Sequence, residues 1–436
     1  RRQRQMCIRD SGYMGRYLLT LSARYDGSSR LAEGHKWVLF PSAALAWRIS
    51  DEPFMKDLLW LDNLKLRVGY GKTGNSAVSP YQTKGQLALR HYVFNNGSSE
   101  YIGYAPSVMA NDQLTWETTD QWNVGVDFGF LKNRINGTVE FYLQNTKDLL
   151  LKRQLPVVSG FSSVMSNVGS TRNKGVEITL NTRNIMNRNF TWSTDLTFSA
   201  NKEEIVELYN GKTDDVGNLW FIGQPIDVYY NYKKIGIWQN TENDLAEMAK
   251  FNEKGANFKP GSIRLEDVDG DYKITEEDKQ ILGSVRPKFV ASMVNNFEFK
   301  GFDLSVFLYA SVGGLLRNNI EFMEKPGRGN TVKVDYWTPT NPTNAFPRPS
   351  VDVEKLDYIS TLGYDKADFL RIRNITLGYT LPEMWSKKVL MDKIRIYLSA
   401  NNPAIFTNFT GIDPEGANGR TAPSYSTWMF GINLSM

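Results

Sequence analysis

Apolar and polar residues alternate one by one along much of this chain, the pattern left by strands with two different faces. Residues 190–201 carry Phe190, Trp192, Leu196 and Phe198 on one face, against Thr191, Ser193, Asp195, Thr197 and Ser199 on the other. Residues 135–144 set Ile135, Val139, Phe141 and Leu143 against Asn136, Thr138, Glu140, Tyr142 and Gln144. The same period runs through Tyr17/Leu19/Leu21/Ala23, Leu64/Leu66/Val68/Tyr70, Trp122/Val124/Val126/Phe128/Phe130, Val176/Ile178/Leu180 and Ile394/Ile396/Leu398/Ala400. A last segment, Trp428/Phe430/Ile432/Leu434/Met436, closes the chain. From Tyr17 onward the spacing predicts about twelve strands, most close to the 9–11 residues a tilted membrane strand needs.

The links between these segments separate a barrel from a soluble sandwich. Short links fall at Leu131–Asn133, Ile185–Asn189 and Phe299–Phe302, with medium ones at 49–62 and 382–392. Long links fall at 73–117, 147–172, 202–287, 313–367 and 402–423, and after the first hairpin the two classes alternate. A sandwich has no reason to sort its loops, whereas an outer-membrane barrel puts short turns on the periplasmic side and long loops outside. Aromatics near strand ends, among them Tyr70, Trp122, Phe130, Phe190, Tyr379 and Trp428, fit the interfacial girdles of such a barrel. The expected fold is therefore all-β, a transmembrane antiparallel β-barrel. The segment 382–391, opened by Pro382, is expected to form a short helix on the turn side.

Composition narrows the function. Lys and Arg number 51 against 47 Asp and Glu, a balance that gives no basic excess for nucleic acid. One cysteine, Cys7, and two histidines, His35 and His91, exclude a disulfide framework and argue against zinc, iron–sulfur or His-based catalytic sites. There is no GxxxxGK[ST], HExxH or GxSxG, so no enzyme is expected. The opening is unusual: Met6-Cys7-Ile8-Arg9-Asp10 resembles a translated sequencing adapter. Residues 1–12 are accordingly expected to be foreign to the gene, with the native barrel portion spanning 13–436.

Several stretches together carry a resemblance. They are Tyr25-Asp26-Gly27-Ser28-Ser29, Phe40-Pro41-Ser42-Ala43, Leu64 to Asn75 (LKLRVGYGKTGN), Asn173-Lys174-Gly175-Val176-Glu177 and Phe369 to Tyr379 (FLRIRNITLGY). In this order they resemble the C-terminal barrel portion of SusC/RagA-type TonB-dependent outer-membrane transporters of Bacteroidetes. The resemblance implies a barrel of about 22 strands around a plug, of which this chain supplies roughly half, the plug and first strands lying elsewhere. It implies an outer-membrane location and import of glycans or oligopeptides. It also implies a SusD-like surface lipoprotein as lid and periplasmic TonB acting through the plug. The terminal Met436 departs from the Phe that ends many outer-membrane proteins. Two competing readings are a secreted, calcium-stiffened β-rich binding module and a passive porin. The unpaired edges of a half-barrel would leave backbone groups unsatisfied in lipid, so these residues alone are not expected to form a stable membrane protein.

One motif in a long loop carries explicit chemistry. Residues 267–278, DVDGDYKITEED, place carboxylates at positions 1, 3, 5 and 12 of a calcium-loop spacing. The expected ligands are Asp267, Asp269 and Asp271, the Lys273 carbonyl, Thr275 directly or through water, and Asp278. Position 6 is Tyr272 where such loops have Gly, and position 12 is Asp rather than the longer Glu. The loops also hold Trp116, Trp220, Phe221, Trp238, Tyr336 and Trp337, expected as stacking surfaces for sugar rings or peptide side chains. Arg371 and Arg373 precede a shift in the alternation and are expected to face an acidic neighbour strand rather than substrate.

Overall fold

The computed structural model describes residues 2–97, 99–161, 163–318, 334–349, 356–416 and 424–436. The chain divides into two compact units, Arg1–Ile226 and Asp227–Met436. The first contains eight long antiparallel strands that pair in chain order: Arg2–Tyr13, Tyr17–Ser28, Trp37–Arg48, Leu61–Asn75, Glu117–Phe130, Ile135–Lys147, Ser170–Met186 and Phe190–Glu207. The second contains five, again paired in chain order: Phe289–Phe299, Phe302–Val312, Phe369–Thr380, Lys393–Thr407 and Thr427–Ser435.

Among the described residues the twelve long strands expected from Tyr17 onward are present, with one more before them. The added one, Arg2–Tyr13, pairs residue for residue with Tyr17–Ser28. Its alternation is weak, with Met6 and Ile8 its main apolar positions, so periodicity alone does not reveal it. The turn into the next strand has positive φ at both Met14 and Gly15, the backbone hand that matches strand twist in tight hairpins. Lys300 and Gly301 do the same between Phe299 and Phe302.

The register turns the alternation into rows. Leu45 pairs with Val68, Val68 with Val124, Val124 with Phe141, Phe141 with Val176 and Val176 with Ala200. Among the described residues this face has no protein over it: Leu45, Trp122, Val124, Phe141, Leu377, Leu398 and Phe430 are all exposed. Leaving so much apolar surface in water would cost about 25 cal/mol per Å², a cost that lipid tails remove. Aromatic contacts mark the ends of the band. Trp60–Phe130 and Phe302–Tyr379 lie near the short turns, and Tyr70–Trp122 lies toward the long loops. Trp122 and Phe130 are eight residues apart on one strand, roughly 27 Å at about 3.4 Å per residue. With a tilt of about 40° that is about 21 Å of depth, close to the apolar height of such walls.

The opposite face is polar and cross-linked. Arg67 pairs with Asp127 at 2.9 Å and Glu140 at 3.3 Å, and Thr138 donates to Asp127. The guanidinium reaches Glu140 by lying over Gly125, where a Cβ would stand 2.8 Å from Arg67 Nη2. In the second unit Arg395 crosses Gly378 in the same way to meet Asp303 at 2.5 Å. Glycine here is the residue without a side chain in the way of an arginine.

The short-turn side is held by local clasps. Glu52, buried in the turn between Arg48 and Leu61, accepts from Arg16 Nη1 (2.6 Å), Tyr17 Oη (2.7 Å) and Trp47 Nε1 (3.0 Å). The expected short helix is present as Glu383–Ser386 followed by a 3-10 turn, Lys387–Val389, with Pro382 at its N-cap.

Candidate functional site

The long loops are where apolar residues are buried. In the first unit Leu31, Phe40, Val78 and Trp116 form one core at the loop ends of the strands. In the second unit, residues 227–288 fold into short strands, Val228–Tyr232 with Lys279–Ser284 and Lys234–Ile237 with Ile263–Leu265, and a helix, Glu242–Glu253. Thr241 caps that helix by accepting from the Asp244 N–H. Glu242 and Asp244 lie in its first turn and Lys250 in its last, the order the helix dipole favours. Met248 and Phe251 face inward onto Trp238 and Phe258. A second core joins Ile237, Ile263 and Leu265 to Trp337 and Leu362 of loop 313–368.

These cores reassign most of the aromatics expected to meet substrate. Trp116, Phe221, Trp238 and Trp337 are buried, and so cannot stack on a ligand from outside. Trp116 Nε1 donates to the Lys36 carbonyl (3.1 Å) and Trp337 Nε1 to Gln239 Oε1 (2.8 Å). Arg264 stacks on Trp238 at 4.4 Å while pairing with Asp244 and Glu247. Trp220 is half-buried, and Tyr336 is exposed. A loop this long needs its own core, and large aromatics supply the most buried area per residue. Sequence position alone does not separate that use from display.

The Asp-rich loop brings three of its expected ligands together. Carboxylate oxygens of Asp267, Asp269 and Asp271 lie within 4.8 Å of one another. Asp267 accepts from the N–H groups of Gly270 (2.9 Å) and Tyr272 (2.8 Å), Asp269 from Asp271 (3.2 Å) and Asp271 from Lys273 (2.7 Å). Tyr272 takes the left-handed conformation, φ 60°, at the position where calcium loops use Gly. It is held there by Phe251, 5.4 Å away, and by Lys250 over its ring. The hard oxygen donors of the three aspartates suit a Ca²⁺ ion, with the Lys273 carbonyl next in sequence. Asp278 stands apart from this cluster. It is fully buried, accepts from Val268 N (2.8 Å) and Thr275 N (2.7 Å), and forms a capping box with Thr275. Asp278 and Thr275 are therefore occupied in shaping the loop end rather than directed at the aspartates.

Arg371 and Arg373 meet acidic partners, though on a loop rather than on the expected neighbouring strand. The partners sit on the loop after Lys393–Thr407: Arg371 is 2.8 Å from Asp413 and 2.7 Å from Glu415, and Arg373 pairs with Glu415 as well. The shift in alternation is a β-bulge at Arg373, skipped by the ladders on both sides. Asp413 also accepts from the hydroxyl of Ser424 at 2.5 Å. Burial pushes its carboxyl up, but hydrogen bonds from Ser424, the Glu415 amide and Arg371 outweigh that and hold it below the usual carboxylate range.

All three long loops of the second unit converge on one cavity of about 590 Å³. Lys234 and Gln280 come from the first loop, Leu315, Phe346 and Tyr364 from the second, and Thr410 from the third.

A run of up-and-down strands with one bare apolar face, one charged polar face and its long loops on a single side is the wall of a transmembrane β-barrel. The chain belongs to the TonB dependent receptor-like, beta-barrel family, whose pattern it matches over residues 7–403. It is 33% identical over 454 residues to TonB-dependent receptor P3 of Formosa agariphila, covering 97% of this chain and 44% of that protein. It is 32% identical over 443 residues to TonB-dependent receptor SusC of Bacteroides thetaiotaomicron, covering 97% of this chain and 42% of that one. The RagAB peptide importer in its open-open state superposes with a TM-score of 0.82 at 25% identity, over 100% of this chain and 47% of that chain. The chain thus spans less than half the length of these relatives. It is part of an outer-membrane barrel of the Bacteroidetes SusC/RagA type.

Proposed function

We propose that this chain is the C-terminal wall and loop platform of an energised importer that takes up glycans or oligopeptides. The observation that carries the reading is the family match over residues 7–403, joined by the likeness to SusC and to a peptide importer across nearly the whole chain. In this reading a SusD-like lipoprotein closes over the long loops, and TonB draws on a plug inside the complete barrel. The chain does no covalent chemistry: its loops select, its polar face guides, and energy arrives from the partner. Uptake of labelled oligosaccharides and oligopeptides into cells with and without the gene tests this. Uptake should fall on deletion and on collapse of the proton-motive force. Uptake that depends on the gene but survives the collapse would instead make it a passive pore.

The Asp-rich loop has a structural role in the same proposal. A Ca²⁺ on Asp267, Asp269, Asp271 and the Lys273 carbonyl would stiffen the loop that packs against the helix Glu242–Glu253. Calorimetric titration of the intact transporter with Ca²⁺ should give a weak site of the extracellular class, lost in Asp269→Asn. Identical titrations for the two proteins would remove the ion from this loop.

A further inference from the structure

We propose that the cavity where the three long loops meet is a subsite for a carboxylate carried by the substrate, with the Lys234 ammonium as its charge partner. The inference rests on the import reading for its biological meaning, but its chemistry is local. Lys234 opens the short strand Lys234–Ile237 and lines the cavity. Its ammonium donates to the carbonyls of Asn344 and Ala345, both at 2.7 Å. Two carbonyls position the group and leave one of its three N–H donors over. They carry no negative charge to balance it. Its neighbour on the cavity wall, Lys233, is different, being paired with Glu266 at 2.9 Å. Among the described residues no carboxylate stands within ion-pair distance of Lys234. Asp365, also on the wall, takes the hydroxyl of Thr410.

A half-buried cation without a paired counter-ion is costly, and the cost falls when an anion arrives with the ligand. Burial pushes the Lys234 ammonium below its usual range, and the field of Asp365 only partly opposes this. The rest of the lining suits a ligand with an apolar or ring-shaped body. Leu282, Leu315 and Phe346 offer apolar surface. Tyr364 accepts from Asn231 Nδ2 at 3.2 Å, which leaves its own hydroxyl proton to donate. The volume lies within the range of small-ligand sites. Two sources supply such a carboxylate: a uronic acid in a glycan, or the C-terminus of a peptide.

The test is equilibrium binding to the intact transporter in detergent, which needs no energy coupling. The probes are trigalacturonate and its methyl ester, and tetra-alanine with a free or amidated C-terminus. The expected result is that one acid binds and its neutral form binds about tenfold more weakly. Lys234→Met should erase that difference by weakening the acid alone, and Asp365→Asn should tighten the acid. Which acid binds decides between glycan and peptide as its source. Equal binding of acid and neutral forms, or no binding of either acid at millimolar concentration, overturns the proposal. If Lys234→Met fails to assemble, Asp365→Asn decides, and unchanged acid binding there refutes it. Acid-selective binding without energised uptake would leave the subsite standing and remove the import reading. Energised uptake without acid selectivity would do the reverse.

Discussion

Replacing Arg371 with Met keeps the length and apolar stem of the side chain and removes its charge. The guanidinium is 3% exposed and Asp413 is 7% exposed, so the loss strands Asp413 in a site water scarcely reaches. Removing one partner of a buried pair costs 3–5 kcal/mol. The lower end applies, because Glu415 is 23% exposed and can turn to solvent. At about 3 kcal/mol the open population of the loop holding Asp413 and Glu415 rises roughly 150-fold. The strands should stay intact, since the pair ties a loop to a strand end and not strand to strand. Hydrogen exchange of the Glu415 and Ser424 amides, both of which donate to Asp413, reads this directly. Adding Asp413→Asn to Arg371→Met should restore more than half of the protection. The pH dependence follows from the lowered carboxyl of Asp413. A depressed folded value stabilises above the unfolded one, near pH 4, and that stability is lost as pH falls through the folded value. The effect of Arg371→Met should therefore be full at neutral pH and shrink only in stronger acid. Strictly additive effects of the two substitutions, or unchanged exchange in Arg371→Met, would refute the anchor.

Three further outcomes are expected. Gly378→Ala places a Cβ 2.5 Å from both Arg395 Nη2 and Asp303 Oδ1, and should lower the temperature at which the barrel loses SDS resistance, by about 1–3 kcal/mol of overpacking; an unchanged transition would show that the arginine can move aside freely. Glu52→Gln should raise hydrogen exchange in the turn 49–55 at neutral pH. Hydrogen bonds from Tyr17 and then Trp47 hold this carboxyl below its usual range, so wild type and variant should converge only in acid below the ordinary carboxylate value. Trp337→Ala should open the loop core to limited proteolysis at a cost of about 3–5 kcal/mol while the strands keep their heat-dependent gel shift; simultaneous loss of both would mean that loops and wall are one cooperative unit.

The wall was legible in the sequence because lipid imposes a period. Val124, Val126 and Phe128 alternate with Asn123, Gly125 and Asp127 over whole strands, and the sorting of short and long links assigns that alternation to a membrane wall. The bulge at Arg373 was legible too, as a break in the same period. The loops were not, because their burial follows no period. Trp238 and Tyr336 look alike in sequence, yet one is 1% exposed and the other 46%. The aspartates announced their convergence by spacing, whereas Asp278, at an equally suggestive position, turned to its own backbone. The cavity at Lys234 left no motif, since its lining comes from three loops separated by whole strands.

The core beneath that cavity also sets an order of events. Ile237, Ile263 and Leu265 precede the hairpin Phe289–Val312 in the chain, and Trp337 and Leu362 follow it. The two halves of this core are therefore separated in the chain by a whole hairpin. Contacts that close over so long a stretch of chain form late. The proposed subsite is thus expected to form late, built from segments on either side of a finished hairpin, and a wall assembled without that core would carry no such site.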